Sequence, residues 1–230
     1  MKNVILFIML LAGSSLAAQI QNVQNQTLQD LQYYVRTNNP AYAAAEGSRY
    51  LQDDFVPAKI NGILKTQLVR FNVPDNVVEV KKIDGEIMAL SFSEGYIIRL
   101  QDGSGKIYET QSVINEDDKK ETTFLELKYQ DDNFKLYLKE NINFTAAKKA
   151  RSGYEPAKPA KFTKGVNTYY VLGVPSGSKA IIALPKKKKN FYQFFGKHAK
   201  TIEKKAKSEK LSLKNGEDIT GILKAYFELP

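Results

Sequence analysis

Cysteine and tryptophan are both absent from the 230 residues, and histidine occurs once. Without cysteine there are no disulfides, zinc–thiolate centres or cysteine nucleophiles, nor the lipidated cysteine that tethers a bacterial lipoprotein. The lone His198 cannot build a multi-histidine zinc or iron site. It stands in Gly196-Lys197-His198-Ala199-Lys200, whereas a triad histidine needs a buried carboxylate to orient it, so an exposed helix histidine is expected. Also missing are a Gly-x-Ser-x-Gly elbow, a phosphate loop and a dinucleotide fingerprint. Asp102-Gly103-Ser104-Gly105 lacks the further carboxylates of a calcium loop and reads as a hairpin turn. Glu116-Asp117-Asp118 and Asp131-Asp132 also fall at predicted turns, and nothing singles out a facing carboxylate pair. No cofactor or metal is expected, and no pattern supports catalysis.

Long apolar runs are scarce as well. The one that stands out, Val4 to Ala12, has nine residues, where a membrane-crossing helix needs about 20. Lys2 precedes it, Gly13, Ser14 and Ser15 follow it, and Ser15-Leu16-Ala17 puts small residues at positions −3 and −1 of a cut after Ala17. A cut after Ala18 would place Leu16 at −3, a worse fit. Residues 1–17 are therefore expected to be a cleaved secretory signal. The polar stretch from Gln19 onward does not extend the span. A soluble mature chain is expected in the periplasm or cell envelope of a Gram-negative bacterium, or outside the cell. A cysteine-free exported chain fits a bacterial protein whose core suffices without staples.

The rest divides by periodicity. Residues 18–59 form a lead-in: Gln19 to Tyr34 is rich in glutamine and asparagine, with Val23, Leu28, Leu31 and Val35 at spacings that allow a short helix or a flexible segment. Ala41 to Phe55 reads as an ordered loop. From residue 60 to 184 the period is two, and apolar runs are broken by turn signals such as Asn72 to Asn76, Asp84-Gly85 and Asp102 to Gly105. Seven strands between residues 64 and 138, then a closing hairpin over 168–184, predict a mainly β (α+β) protein. Its antiparallel meander should curl into a sandwich or partly open barrel, since a flat sheet of that length exposes edges. Residues 146–167, with Pro156 and Pro159 among lysines, read as a linker or long loop. Residues 185–230 read as a helical hairpin: a lysine-rich helix, then one capped by Asn215 with Ile219, Ile222, Leu223, Tyr226 and Phe227 on one face.

Charge is the sharpest feature. Lys186 to Lys214 holds eleven lysines against Glu203 and Glu209, giving +9, and the whole chain is also +9. Everything else sums to zero. The candidate anion-contacting residues are Lys186, Lys187, Lys188, Lys189, Lys197, Lys200, Lys204 and Lys205. Each lysine near an anionic membrane contributes on the order of 1 kcal/mol. Phe191, Tyr192, Phe194 and Phe195 follow the first four lysines. They belong either at a membrane interface or, as charge runs are usually solvated faces, in the core under a wet lysine surface. Export argues against nucleic acid.

Glu46-Gly47-Ser48-Arg49-Tyr50-Leu51 through Ile60, Leu68-Val69-Arg70-Phe71-Asn72-Val73, and the lysine-rich helix followed by Asp218-Ile219 and Ala225-Tyr226-Phe227 are similar to a pattern in uncharacterised exported proteins of Bacteroidota-type bacteria. The resemblance covers most of the mature chain and implies a Gram-negative envelope location; it carries over no functional residue. The expectation is a non-enzymatic binding or scaffolding domain that contacts anionic lipid, acidic glycan or an envelope protein through its cationic end. A carrier holding a small apolar ligand between the sheet and the final helix is the alternative, and an enzyme acting on envelope glycans comes third.

Overall fold

The structure is a computed structural model that describes residues 33–35, 39–90, 95–150, 156–174 and 178–229. The expected signal and its cleavage positions Ala17 and Ala18 lie outside the described residues. Among the described residues thirteen strands run in chain order. They are β1 (Tyr33–Val35), β2 (Val56–Ile60), β3 (Gln67–Asn72), β4 (Val77–Lys81), β5 (Ile87–Leu90) and β6 (Ile97–Leu100). Then come β7 (Ile107–Ile114), β8 (Lys120–Gln130), β9 (Lys135–Lys139), β10 (Ile142–Thr145), β11 (Lys161–Lys164), β12 (Thr168–Leu172) and β13 (Ile181–Ala183). The helices are α1 (Lys188–Gln193), α2 (Ala199–Ser208) and α3 (Gly216–Phe227). The mainly β architecture with a helical C-terminal end is as expected, and the sheet is partly closed.

Closure turns on β7. One of its edges pairs with β8 along nearly its whole length. The other edge forks: Ile107 to Glu109 pair with β6, whereas Val113 and Ile114 pair in parallel with Ile181 and Ile182 of β13. Because β13 pairs with β12, β12 with β9 and β9 with β8, these five strands close on themselves as a barrel. A closed ring leaves no ladder groups unpaired at an edge. Among the strand pairs of the described residues, β7–β13 is the one parallel pairing and departs from the antiparallel expectation; an isolated parallel bridge also joins Glu46 and Lys161.

Alternation then assigns each face. Tyr137 pairs with Tyr170, and both join Val113, Leu125, Ile181 and Ala183 in the barrel interior; Leu136 pairs with Val171, and both face outward. Glu109 also points inward. Its carboxylate accepts from the Tyr137 hydroxyl at 2.7 Å and from Gln111 Nε2 at 2.9 Å, with Lys135 Nζ at 3.5 Å. Burying that charge is tolerable because donors surround it. Burial and the neighbouring carboxylate in turn hold the Tyr137 hydroxyl far above its ordinary pKa.

The opposite face of β7 and β8 carries Tyr108 and Phe124, which meet Phe71 of β3 with ring centroids 4.2 and 5.1 Å away. Here β6, β2, β3, β4 and β5 curl into a second, open lobe. Asn76 nearly shuts it: in the β3–β4 turn, at φ 52°, it donates to the Thr122 carbonyl at 2.9 Å and accepts from the Thr123 hydroxyl at 2.7 Å. Asparagine tolerates that left-handed backbone, and its amide does what a strand edge would.

The expected ordered loop is held by charge. Arg70 and Glu79 are cross-strand partners at 2.8 Å on the outer face of β3 and β4. The guanidinium lies between the rings of Tyr50 (3.6 Å) and Phe55 (4.3 Å) and donates to the Asp53 carbonyl. The loop thus covers a carboxylate that is only 1% exposed.

Four segments differ from expectation. Tyr33–Val35, within the helix-compatible lead-in, is a strand on β5. β2 starts at Val56, inside the expected lead-in, because its pairing with β3 and β6 outweighs the strand-poor signal of Pro57. Residues 161–164, inside the expected long loop, form β11 and pair with β10 as a separate ribbon. The C-terminal end has three helices rather than a hairpin of two.

α3 follows expectation. Asn215 Oδ1 accepts from the Asp218 N–H at 2.8 Å, and Ile219, Ile222 and Leu223 are buried. With Phe134, Leu136 and Val171 they form the core between barrel and helices. Each such aliphatic side chain contributes about 1.5–3 kcal/mol. Asp218 also accepts from the Ser212 hydroxyl and N–H and from Asn215 Nδ2, and these bonds, Ser212 first, hold its carboxyl below the usual range.

Tyr137→Phe should remove a donor from a buried carboxylate and lower unfolding stability by about 1–3 kcal/mol in denaturant titration; a neutral result would mean Glu109 is satisfied without it. For Asp218 the folded pKa lies below the unfolded one. Its contribution is therefore complete above about pH 4 and is lost as pH falls through the folded value. Asp218→Asn should flatten that acid limb of the Tm-versus-pH curve and leave its shape above pH 5 unchanged.

Candidate anion-binding surface

The lysine-rich segment begins where β13 runs into Pro185. α1 follows, with Phe191 and Tyr192 buried, Phe195 buried just beyond it and Phe194 partly so. Gly196, at φ +54°, then lets the chain turn into α2. Along α2, Ile202 and Ala206 fall four apart and are buried. Lys200 and Lys204 are consequently placed on the opposite, solvated side, and Lys197 of the preceding 3-10 turn is exposed as well. The aromatics are core, and insertion of Phe191, Tyr192 and Phe195 at an interface is ruled out by their burial. His198 sits in a short 3-10 turn, partly buried with its ring 5.8 Å from that of Tyr226. Among the described residues no carboxylate hydrogen-bonds to it, so no triad forms.

The eight candidate lysines divide by partner. Lys186 lies 3.0 Å from Glu116 and Lys205 pairs with Glu228, which raises the Lys205 pKa and lowers that of Glu228. Lys187, Lys188, Lys189, Lys197, Lys200 and Lys204 have no carboxylate within ion-pairing distance among the described residues. Three of these six, Lys188 and Lys189 of α1 and Lys200 of α2, line one groove of about 540 Å³. Tyr192, Gln193, Ala199 and Glu203 complete its lining. Glu203 is tied to Lys207 at 3.1 Å. Burial, and to a lesser degree Glu203, raise the Tyr192 hydroxyl above its usual pKa, so it stays a donor. Gln193 and Tyr192 had no sequence signal as lining residues, because the groove arises only when α1 and α2 pack.

Asp102 accepts from the Ser104 hydroxyl at 2.6 Å and closes its turn, with its carboxyl held low by that bond. Among the described residues no three metal-ligating side chains cluster, and no helix is long and apolar enough to cross a membrane. Between sheet and final helix, where an apolar ligand was the alternative expectation, Leu136, Val171, Ile219, Ile222 and Leu223 pack together, and a cavity of about 320 Å³ lies beside them, lined by Tyr169, Leu184, Phe191, Leu213 and Ile219 among others. No protein-family model, curated protein or solved structure matches the chain.

The division between core rings and wet lysines can be read in stability. Phe191→Ala should cost about 3–5 kcal/mol, whereas Lys188→Gln should stay within about 0.5 kcal/mol of wild type by denaturant titration. Similar costs for the two would mean the lysine stem is packed.

Proposed function

We propose that this protein is an exported, non-enzymatic binding module whose lysine-rich helical end docks on densely packed negative charge, and that the surface it fits best is one of anionic lipid head groups. One observation carries the reading. Six exposed lysines without carboxylate partners among the described residues stand on one helical end, while the charge outside Lys186 to Lys214 sums to zero. A charge run that merely solubilised the domain would gain from interspersed acids. Here the acids of the segment, Glu203 and Glu209, are outnumbered by eleven lysines. Contributions of about 1 kcal/mol per lysine add only when the opposing surface presents many charges, as a lipid leaflet does. The buried rings leave the contact electrostatic and peripheral.

The signal read in residues 1–17 supports delivery to the envelope, and the resemblance to exported proteins of Bacteroidota-type bacteria supports a Gram-negative one. Both favour lipid, acidic glycan or an envelope protein over nucleic acid as the partner.

The test is co-sedimentation with phosphatidylcholine vesicles, with and without phosphatidylglycerol, at low salt and at about 0.5 M salt. Binding should need the anionic lipid and be lost at high salt. Replacing Lys187, Lys188, Lys189, Lys197, Lys200 and Lys204 with glutamine should weaken it at least about tenfold, the smallest effect expected when several contributions of about 1 kcal/mol are removed. Unchanged binding of that variant would overturn the proposal, and retention by an acidic polysaccharide but not by vesicles would redirect it to glycan.

A further inference from the structure

Among the described residues five large apolar side chains are exposed, and four of them lie at one end of the open lobe. The lobe's strands β2 to β5 are antiparallel neighbours, so the β2–β3 link (residues 61–66) and the β4–β5 link (residues 82–86) emerge at the same end. Leu64 stands in the first at 72% exposure, and Ile83 in the second at 101%. Behind them Leu68, Lys81 and Ile87 form one cross-strand row on the outer face, with Leu68 41% and Ile87 39% exposed.

Strand alternation accounts for the row but not for its exposure. The neighbouring outward pair, Arg70 with Glu79, is covered by Tyr50 and Phe55. That cover reaches Lys81, whose Nζ lies 5.9 Å from the Phe55 ring centre, and leaves Leu68 and Ile87 open. Both links are closed by hydrogen bonds. The Gly85 N–H donates to the Lys82 carbonyl at 3.0 Å and the Glu86 N–H to Asp84 Oδ1 at 3.0 Å. In the other link the Ile63 N–H donates to the Ile60 carbonyl at 3.1 Å, and Lys59 Nζ to the Leu64 carbonyl at 3.2 Å. Turns favour Gly, Pro, Asn, Asp and Ser for local conformational reasons, none of which calls for Leu64 or Ile83. Two aliphatic side chains are thus held in water at the tips of two ordered turns, where transfer to an apolar phase would be favourable.

The surroundings select the apolar phase. Lys59, Lys65 and Lys81 are exposed and have no carboxylate within ion-pairing distance among the described residues, while Lys82 pairs with Glu86. Residues 59–66 contain no acid. Apolar tips flanked by lysines match the boundary of an anionic bilayer, where aliphatic side chains enter the acyl region and lysine stems reach back to the head groups. A stable protein–protein contact takes about 20–30 residues a side, more than two short turns supply. A convex tip also needs a matching pocket in a folded partner, whereas lipids close around it.

We infer that the β2–β3 and β4–β5 turns insert Leu64 and Ile83 into an anionic lipid leaflet. This contact uses different elements from the lysine-rich end and does not depend on the docking proposed for it.

The chain has no tryptophan, so a single introduced one reports on its own surroundings. In the mature chain, Ile83→Trp, Leu64→Trp and Ser104→Trp are each mixed with vesicles of phosphatidylcholine and phosphatidylglycerol. Ser104 lies in the β6–β7 turn, at the other end of the lobe. Emission from the first two should move to shorter wavelength and be quenched by lipids brominated on their acyl chains, and Ser104→Trp should do neither. The Ile83→Trp shift should persist when Lys187, Lys188, Lys189, Lys197, Lys200 and Lys204 are glutamine. In that six-glutamine background Leu64→Ser/Ile83→Ser should weaken vesicle binding at least about tenfold, with an unchanged Tm because neither side chain is packed.

No acyl-chain quenching in Ile83→Trp and Leu64→Trp, or equal quenching in Ser104→Trp, would overturn the insertion and leave the lysine docking as it stands. Loss of the Ile83→Trp shift in the six-glutamine background would overturn it as an independent contact. A blue shift without vesicles that grows with protein concentration would overturn it in favour of a second copy of the chain.

Discussion

The forked edge of β7 is the constraint on which both halves of the molecule depend. A strand has two edges, and β7 gives one to β8 and divides the other between β6 and β13. The β6 branch continues into the open lobe, and the β13 branch closes the barrel. The alternation of β7 and β8 therefore serves two cores at once: Tyr108 and Phe124 for one, Val113 and Leu125 for the other. Glu109 and its ring of donors stand at this junction. A polar group sealed inside a barrel is strongly specified, because a register slip of one residue would bring apolar side chains to its donors and the carboxylate to the other core.

Barrel closure also decides where the lysines go. The outward faces of β9 and β12 present Leu136 and Val171, which need a cover, and the three helices supply it with Phe191, Phe195, Ile202, Ile219, Ile222 and Leu223. Once those side chains point inward, helical geometry leaves Lys197, Lys200 and Lys204 only the solvent. The cationic surface and the helical core are two consequences of one packing event. Lys205 and Lys186 tie the helical end through Glu228 and Glu116, whereas Lys197, Lys200 and Lys204 make no ion pair among the described residues.

Much of the β-domain was legible in local pattern, since alternation and turn residues are short-range signals. The strands from β3 to β9 follow the expected runs, and Asn215 caps α3 as its position implied. The missed strands share one cause: each pairs with a segment that is not its neighbour in the chain. β2 carries Pro57 and looks weak alone, yet it lies between β3 and β6. β1 and β11 are short, and only β5 and β10 make them strands. The same holds in the cationic end. Four consecutive lysines look equivalent as letters, but Lys186 pairs with Glu116, while Lys188 and Lys189 line one groove with Lys200.

The residues alone determined composition-level facts: no disulfide framework, a mainly β chain with a helical end, a +9 segment on an otherwise neutral protein, and apolar faces for each helix. These are properties of neighbours within a turn or a strand, where sequence distance and spatial distance coincide. The tertiary structure decided the parallel β7–β13 contact, the division into a closed barrel and an open lobe, the identity of the unpaired lysines and the existence of a groove. Each of these depends on which distant segments come within hydrogen-bonding or Coulombic range of one another. That range is set by how the whole chain buries its apolar surface, which no local window of residues records.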